Sequence, residues 1–242
     1  MLSIVIPIGP DDWAWIPLIK ELANLAISHE IILSGADSFS PETRVPQITS
    51  IKHLKVVRGC KGRAFQLNRG AKAARGSWVW FLHADSRLTP GALGVIQSVG
   101  DLSEQAVHYF DLKFFEAGRK MRLNEWGVIL RSRSLALPFG DQALLMSKST
   151  WKLVGGFPED VSRGEDHIFI WYCHQKNVKV LPVHAVLETS ARRYSQQGWG
   201  YTTFDHFKLA WSQAFPEAIK VIRIKWKRKT SELQRSLSRL LG

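Results

Sequence analysis

The chain is predicted to be an α/β protein, a Rossmann-like and mostly parallel sheet flanked by helices, with a basic helical tail. Three observations predict it. Short, almost wholly apolar runs alternate with segments of helical periodicity, the pattern of strands covered on both faces by crossover helices. The run Ser77 to Leu82 ends in His83-Ala84-Asp85, which puts a carboxylate at the carboxyl end of a buried strand. In open α/β sheets that is where ligands sit. Finally, eight of the residues from Ile219 onward are Lys or Arg, against the single acid Glu232.

Each element has its own reason. Leu2 to Ile8 is an apolar strand closed by Gly9-Pro10. A helix begins near Trp15, with Pro17 in its first turn and Leu18, Leu22 and Leu25 as its stripe; Asp11 and Asp12 stay in the loop. Glu30 to Leu33 is a second strand, Ser34 to Ser50 a polar loop and Leu54 to Val57 a third strand. Arg63 to Arg75 is a helix on Ala64, Leu67, Ala71 and Ala74, and Ser77 to Leu82 is the fourth strand. This β-α-β-β-α-β opening fits a parallel sheet. Thr89-Pro90 starts a further helix. Ala106 to Phe115 reads as a long strand, Lys120 to Leu135 as helix and Asp141 to Met146 as strand. A helix around Trp151 ends at Gly155-Gly156, and Glu165-Asp166 opens an apolar helix through Cys173. Val178 to Glu188 holds the last strand, at an edge or broken by Pro182. The remainder from Trp199 is helical, with Pro216 separating two helices. The expected organisation is a domain over 1–215 and a basic amphipathic helix over 216–242.

Composition narrows the function. With 242 residues and 45% of them hydrophobic, one domain with a tail can bury a sizeable core. The net charge is +12, and the tail supplies 8 − 1 = 7 of it. Such a balance selects anionic partners: phosphates, nucleic acid or an anionic membrane surface; for the function read below, no nucleic acid is expected. Cys60 and Cys173 form no CxxC pattern and are expected to be free thiols in a reducing compartment. The N-terminus lacks the basic region of a signal peptide, and no apolar run reaches the roughly 18 residues of a membrane span. A cytoplasmic location, at the inner face of the membrane, is expected. Ten Trp exceed what a core of this size needs and suit stacking or interfacial positions.

The chemistry-bearing residues fall into four groups. Arg58, Lys61, Arg63 and Arg69 crowd a helix start, where dipole logic disfavours cations unless an anion comes. Gln66 and Asn68 add amides able to read a base or ribose, and Gly70 permits close backbone approach. The competing reading is a solvated basic face. Asp85 is either a polar turn after a strand or suits a Mg2+ or Mn2+ ion held by one or two carboxylates and two phosphates, with His83 as a second ligand or packing beside it. Glu165-Asp166 is either a capped helix start or a carboxylate pair in which one member is a general base. Arg192-Arg193, before Gly198-Trp199-Gly200, suits a segment that closes over an anion, or is a pair of surface arginines.

Taken together, IVIP, GRAFQLNRGAKAARG, FLHAD, GDQALLM, GGFPE, the Glu-Asp pair and SARRY resemble family 2 glycosyltransferases of the GT-A fold. They look closest to the bacterial branch termed radical-SAM/selenodomain-associated. The resemblance covers Ser3 to about Pro216. It implies a nucleotide-diphospho-sugar donor bound by Pro7, Arg63, Gln66, Asn68, His83, Asp85, Arg192 and Arg193. It implies a Mg2+ or Mn2+ ion on Asp85, with His83 in place of the first Asp of a DxD. Asp166, beside Glu165, would deprotonate the acceptor hydroxyl, and Gly140, Asp141 and Gln142 would lie on the acceptor side. The acceptor would be lipid-linked in many similar enzymes. The chain departs from the family at Leu33-Ser34-Gly35-Ala36, where an Asp usually contacts the base and Asp37 comes late. It departs also at Gly9-Pro10-Asp11-Asp12 and at Tyr194. The reading is a metal-dependent inverting glycosyltransferase. A nucleotidyltransferase would need a basic Gly-rich loop after the first strand, where this chain is acidic. A non-enzymatic binder of anionic lipid or nucleic acid would rest on the tail alone.

Overall fold

The structure is a computed structural model. It describes residues 1–242 apart from Asp11, Arg44, Gln47, Thr49, Ser50, Glu116, Ala117 and Gly242, and only the backbone of Arg193, Leu233 and 235–241. The elements run β1 (Leu2–Pro7), α1 (Trp15–Leu22), β2 (His29–Ala36), β3 (Leu54–Gly59), α2 (Arg63–Ala73), β4 (Trp78–Phe81), β5 (Arg87–Leu88) and α3 (Pro90–Gln97). Then come β6 (Ala106–Phe115), α4 (Met121–Leu135), β7 (Leu145–Ser147), α5 (Lys148–Val154), α6 (Glu165–Gln175), β8 (Lys179–Ser190), α7 (Arg192–Gln197) and α8 (Trp199–Leu241).

β1 shows why the sheet has two cores. Its period of two sends Leu2, Ile4 and Ile6 to one face, where they meet Trp15, Leu18, Ile19 and Leu22 of α1. Val5 goes to the other face and packs with Ala64, Leu67 and Ala71 of α2. β4 repeats the division, with Trp78 and Trp80 on the first side and Val79 and Phe81 on the second. A methyl added to Gly70 would stand 2.3 Å from Val5 Cγ1, so this glycine sets how closely α2 approaches β1.

The strand order is β3-β2-β1-β4-β7-β6-β8-β5. β3, β2, β1 and β4 are mutually parallel, as the opening alternation predicts. β7 then runs antiparallel to both β4 and β6, β6 pairs parallel with β8, and the two-residue β5 closes the edge. Pro182 faces Tyr109 where the β6–β8 register slips, the break expected of a strand proline. Thr89 caps α3 by accepting from Ala92 N–H at 3.1 Å, a bond worth about 1 kcal/mol.

Three expectations are corrected. β2 continues to Ala36 instead of ending at Leu33, because Ser34, Gly35 and Ala36 are small enough to remain in the buried ladder beside β1 and β3. Asp141 to Met146 is not one strand. Gly140–Gln142 is a single 3-10 turn, held by Gln142, whose amide donates to Phe110 O at 3.0 Å and accepts from Phe139 N–H at 3.2 Å. Pro216 lies inside α8 and does not separate two helices. An interior proline costs about 3 kcal/mol. Contacts on both sides hold the helix: Gln213 donates to Arg163 O at 2.7 Å, and buried Glu217 accepts from Gln175 at 2.5 Å. Among the described residues no helix is long and apolar enough to cross a membrane.

Candidate active site

The carboxyl ends of β1, β2 and β4 define the first part of the site. Pro7 ends β1 buried and in register with Ser34. Asp85 follows β4, half-buried, and accepts from the Thr189 hydroxyl at 3.4 Å. Burial and the neighbouring Asp12 push its carboxyl above the usual range, while Arg192 and Arg63 pull it back. Asp12 itself lies 3.9 Å from Arg192, whose side chain is more than half exposed and open to a ligand. Two facing carboxylates with two cations at the rim form a donor set that fits a divalent ion, which would relieve their repulsion. Among the described residues no three His, Cys, Asp or Glu side chains gather closely enough to hold a metal unaided. The protein thus offers two carboxylates, and phosphate oxygens would complete the shell.

Arg63 joins this part of the site to the next. At the start of α2 its guanidinium donates to His83 Nε2 and pairs with Glu165 Oε1 at 2.9 Å. Because arginine can only donate, His83 accepts on Nε2 and carries its proton on Nδ1. Arg58 and Arg69 serve the fold. Arg58 bonds Phe39 O at 2.7 Å and Glu42 at 2.8 Å, and Arg69 donates to Gly35 O at 2.6 Å. Gln66 and Asn68 are buried. The Gln66 amide donates to Ile8 O at 2.6 Å, and Asn68 grips Phe157 through both its carbonyl O and its N–H. They shape the wall of the site from behind.

The second part is a cavity of about 230 Å³ under α8, lined by Arg63, His83, Asp141, Asp166, His206 and Gln213 among others. Gly164, at φ +77°, turns the chain into α6 so that Glu165 and Asp166 occupy its first turn. Glu165 is buried against Arg63, and burial together with Asp166 raises its carboxyl. Asp166 is more open. Its Oδ2 accepts from Gly140 N–H at 2.5 Å, and its Oδ1 from His167 N–H at 2.8 Å, which fixes the carboxylate toward the cavity. Asp141 lies beside it, with Oδ1 buried and without a hydrogen-bond partner. Burial drives its carboxyl up to about 6 despite the counter-pull of Arg131. Gln142 points inward, bonded to Ser132 and Phe110, and does not reach the cavity.

Sequence reasoning missed Arg131, which lies 3.4 Å over the Phe139 ring and faces Asp141 and Asp166. It also missed the roof from α8. Trp171 donates to His167 Nε2 at 3.1 Å, so the His167 Nδ1–H faces Gln213 Oε1 at 3.2 Å and ties α6 to α8. Arg163 pairs with Asp205 at 2.6 Å at the cavity rim. The segment from Arg192 is a short helix, α7; of Arg193 only the backbone is described, so its predicted role falls outside the described side chains. The extension of β2 makes Asp37 the first residue after that strand, and so less displaced than its sequence position implied.

No family model and no curated protein matches the chain. Solved structures do. S. aureus TarS 1-349 aligns with 78% of this chain and 60% of its own, at 17% identity and a TM-score of 0.59. The same fragment in complex with UDP-GlcNAc aligns at 18% identity, again with a TM-score of 0.59. The mannosyltransferase PcManGT from Pyrobaculum calidifontis, in complex with GDP-Man and Mn2+, aligns with 93% of this chain and 68% of its own, at 14% identity and a TM-score of 0.65. The chain spans about 60% of the length of the TarS fragment. At these identities the likeness is one of architecture, and the chain has the GT-A fold.

Proposed function

We propose that the chain is a metal-dependent, inverting glycosyltransferase that moves a sugar from a nucleotide-diphospho-sugar to an acceptor hydroxyl. The observation that carries this reading is the reach of Arg63, which contacts His83 beside Asp85 and Glu165 beside Asp166. The Asp85 and Asp166 regions lie within one side chain of each other, which supports reading them as the phosphate-and-metal end and the carboxylate end of one site. Support comes from the fold shared with a mannosyltransferase solved with GDP-Man and Mn2+.

In this reading Asp85, with Asp12 beside it, would hold Mg2+ or Mn2+, which would supply positive charge against the leaving diphosphate. Arg192 and Arg63 supply further positive charge there. Pro7, His83 and the buried amides of Gln66 and Asn68 form the wall behind the donor, and Asp37 stands where the family's base-reading acid would be. Gly140 N–H orients Asp166, which takes the proton of the acceptor hydroxyl as that oxygen attacks the anomeric carbon from the face opposite the diphosphate. Asp141 lines the acceptor side. Glu165 positions Arg63. The branch associated with radical-SAM and selenodomain proteins, a lipid-linked acceptor and peripheral attachment at the inner membrane face belong to the same proposal.

Single-turnover measurements on two variants test the assignment of the base. Asp166→Asn should lower turnover by roughly 10²–10⁴-fold, the usual worth of a general base, with donor affinity nearly intact. Glu165→Gln should weaken the hold on Arg63 and raise the donor KM more than it lowers kcat. Full turnover in the Asp166 variant would remove that residue from the role.

A further inference from the structure

The outward side of α8 carries a row of large apolar side chains that no other described residue covers. Tyr201, Phe204, Phe207, Trp211 and Phe215 are each 64–69% exposed, and Ile222 and Trp226 continue the row at 66% and 69%. Spacings of three, four and seven residues put them on one side of the helix. The Phe207 and Trp211 rings stack with centroids 6.2 Å apart, so the row is continuous at its centre. The inward side, through Thr202, His206, Gln213, Glu217 and Val221, meets the domain and roofs the cavity. Exposed cations stand beside the row at its carboxyl end, Lys225 and Lys229, with Arg223 flanking it.

We infer that this aromatic face is a docking surface for an anionic lipid bilayer and that α8 lies in the membrane interface. Amphipathic aromatic rings with lysine and arginine beside them suit the headgroup boundary, where apolar bodies bury and cations meet phosphates. A second copy of the chain suits it less. Of the three acids of α8, Asp205 pairs with Arg163 and Glu217 with Lys220 and Gln175, so from this helix another copy brings only Glu232 to meet the cations. The surface differs from the tail beyond Pro216 that the sequence singles out, since five of the seven apolar residues precede that proline. If α8 lies in the interface, the cavity sits about one helix diameter, roughly 10 Å, beneath the headgroups. Its open rim then faces hydroxyl acceptors carried on lipid. That orientation rests on the proposed acceptor role of the cavity; the docking surface does not.

Sedimentation of the full chain with vesicles tests it, using phosphatidylcholine alone and phosphatidylcholine with roughly one-third phosphatidylglycerol. The chain should bind the anionic vesicles and lose binding steeply in high salt. The double variant Phe204→Ser/Trp211→Ser should bind them roughly tenfold more weakly or worse, given the apolar area lost. Tyr201→Ser/Phe215→Ser provides an independent pair, and unchanged far-ultraviolet circular dichroism shows that each pair folds. Donor-induced thermal stabilisation should persist in both, which separates failure here from failure of the transferase reading. Absent binding, or equal binding by wild type and both pairs, overturns the inference. So does a dimer in sedimentation velocity that both pairs dissolve, because the row is then a subunit interface.

Discussion

At the scale of single residues, the site depends on small distances that substitution can disturb one at a time. Gly140 is the clearest case. A methyl group there would lie 2.6 Å from Asp166 Oδ2, the oxygen that its own N–H holds. Gly140→Ala must displace the carboxylate, and displacement of about 1 Å at a reacting group can lower rate by roughly 10²-fold. Turnover should fall by that order with the melting temperature nearly unchanged, as single-turnover kinetics and a thermal melt will show. Asp141 gives a pH prediction. Its carboxyl stands at about 6 in the folded chain against 3.8 when free, so the folded state binds more protons between those values. Stability contributed by the protonated form is therefore present below pH 3.8 and lost as pH rises through 6. Asp141→Asn should raise stability at pH 7.5 and leave it little changed below pH 4; denaturant melts at both pH values check the sign.

Elements differ in how much of them can be read from the chain, and the reasons are physical. β1 and β4 were legible because both faces are buried, which leaves runs whose one polar residue is Ser3. The turn Gly140–Gln142 was not, because its shape is set by Gln142 bonding to β6 and to Ser132 of α4, partners that no local pattern reveals. The same limit hid the roof: Gln213 and His206 reach the cavity only because α8 folds back across α6. Asp85 and the Glu-Asp pair stood out by position, one after a buried strand and one opening an apolar helix. Gln66 and Asn68 had the right chemistry for a ligand, yet in place their amides bond to backbone. Pro216 was read as a boundary from local propensity, and packing on both sides overrides it. Pro216→Ala should restore the missing backbone bond and raise stability, by up to about 3 kcal/mol. A rise in melting temperature checks this, and a fall would show that a proline-induced bend is needed to seat Glu217 against Gln175.

At the scale of the whole molecule, the parallel half of the sheet presents Asp85 and Asp12, the start of α7 after β8 brings Arg192 to them, and the turn before β7 and the start of α6 present Asp141 and Asp166. Arg63 reaches both groups, through His83 and Glu165. Donor binding and acceptor activation should therefore separate on mutation. A nucleotide-sugar bound only by the folded state stabilises it by about 2.7 kcal/mol at a hundredfold excess over Kd. For a domain of this size that is a rise of roughly 5–10 °C in melting temperature. The wild-type chain should show a rise of this order with a matching nucleotide-sugar and Mn2+, and a smaller one without the ion. Asp85→Asn should abolish the difference made by Mn2+ while keeping what remains in its absence. Arg192→Ala should lower the rise in both conditions, since a guanidinium meets phosphate whether or not the ion is there. Asp166→Asn should leave both rises intact. An Asp85 variant that loses the rise equally with and without Mn2+ would mean that this carboxylate shapes the pocket but holds no metal. An Asp166 variant that loses it would place that residue on the donor, and the proposed division of labour across Arg63 would fail.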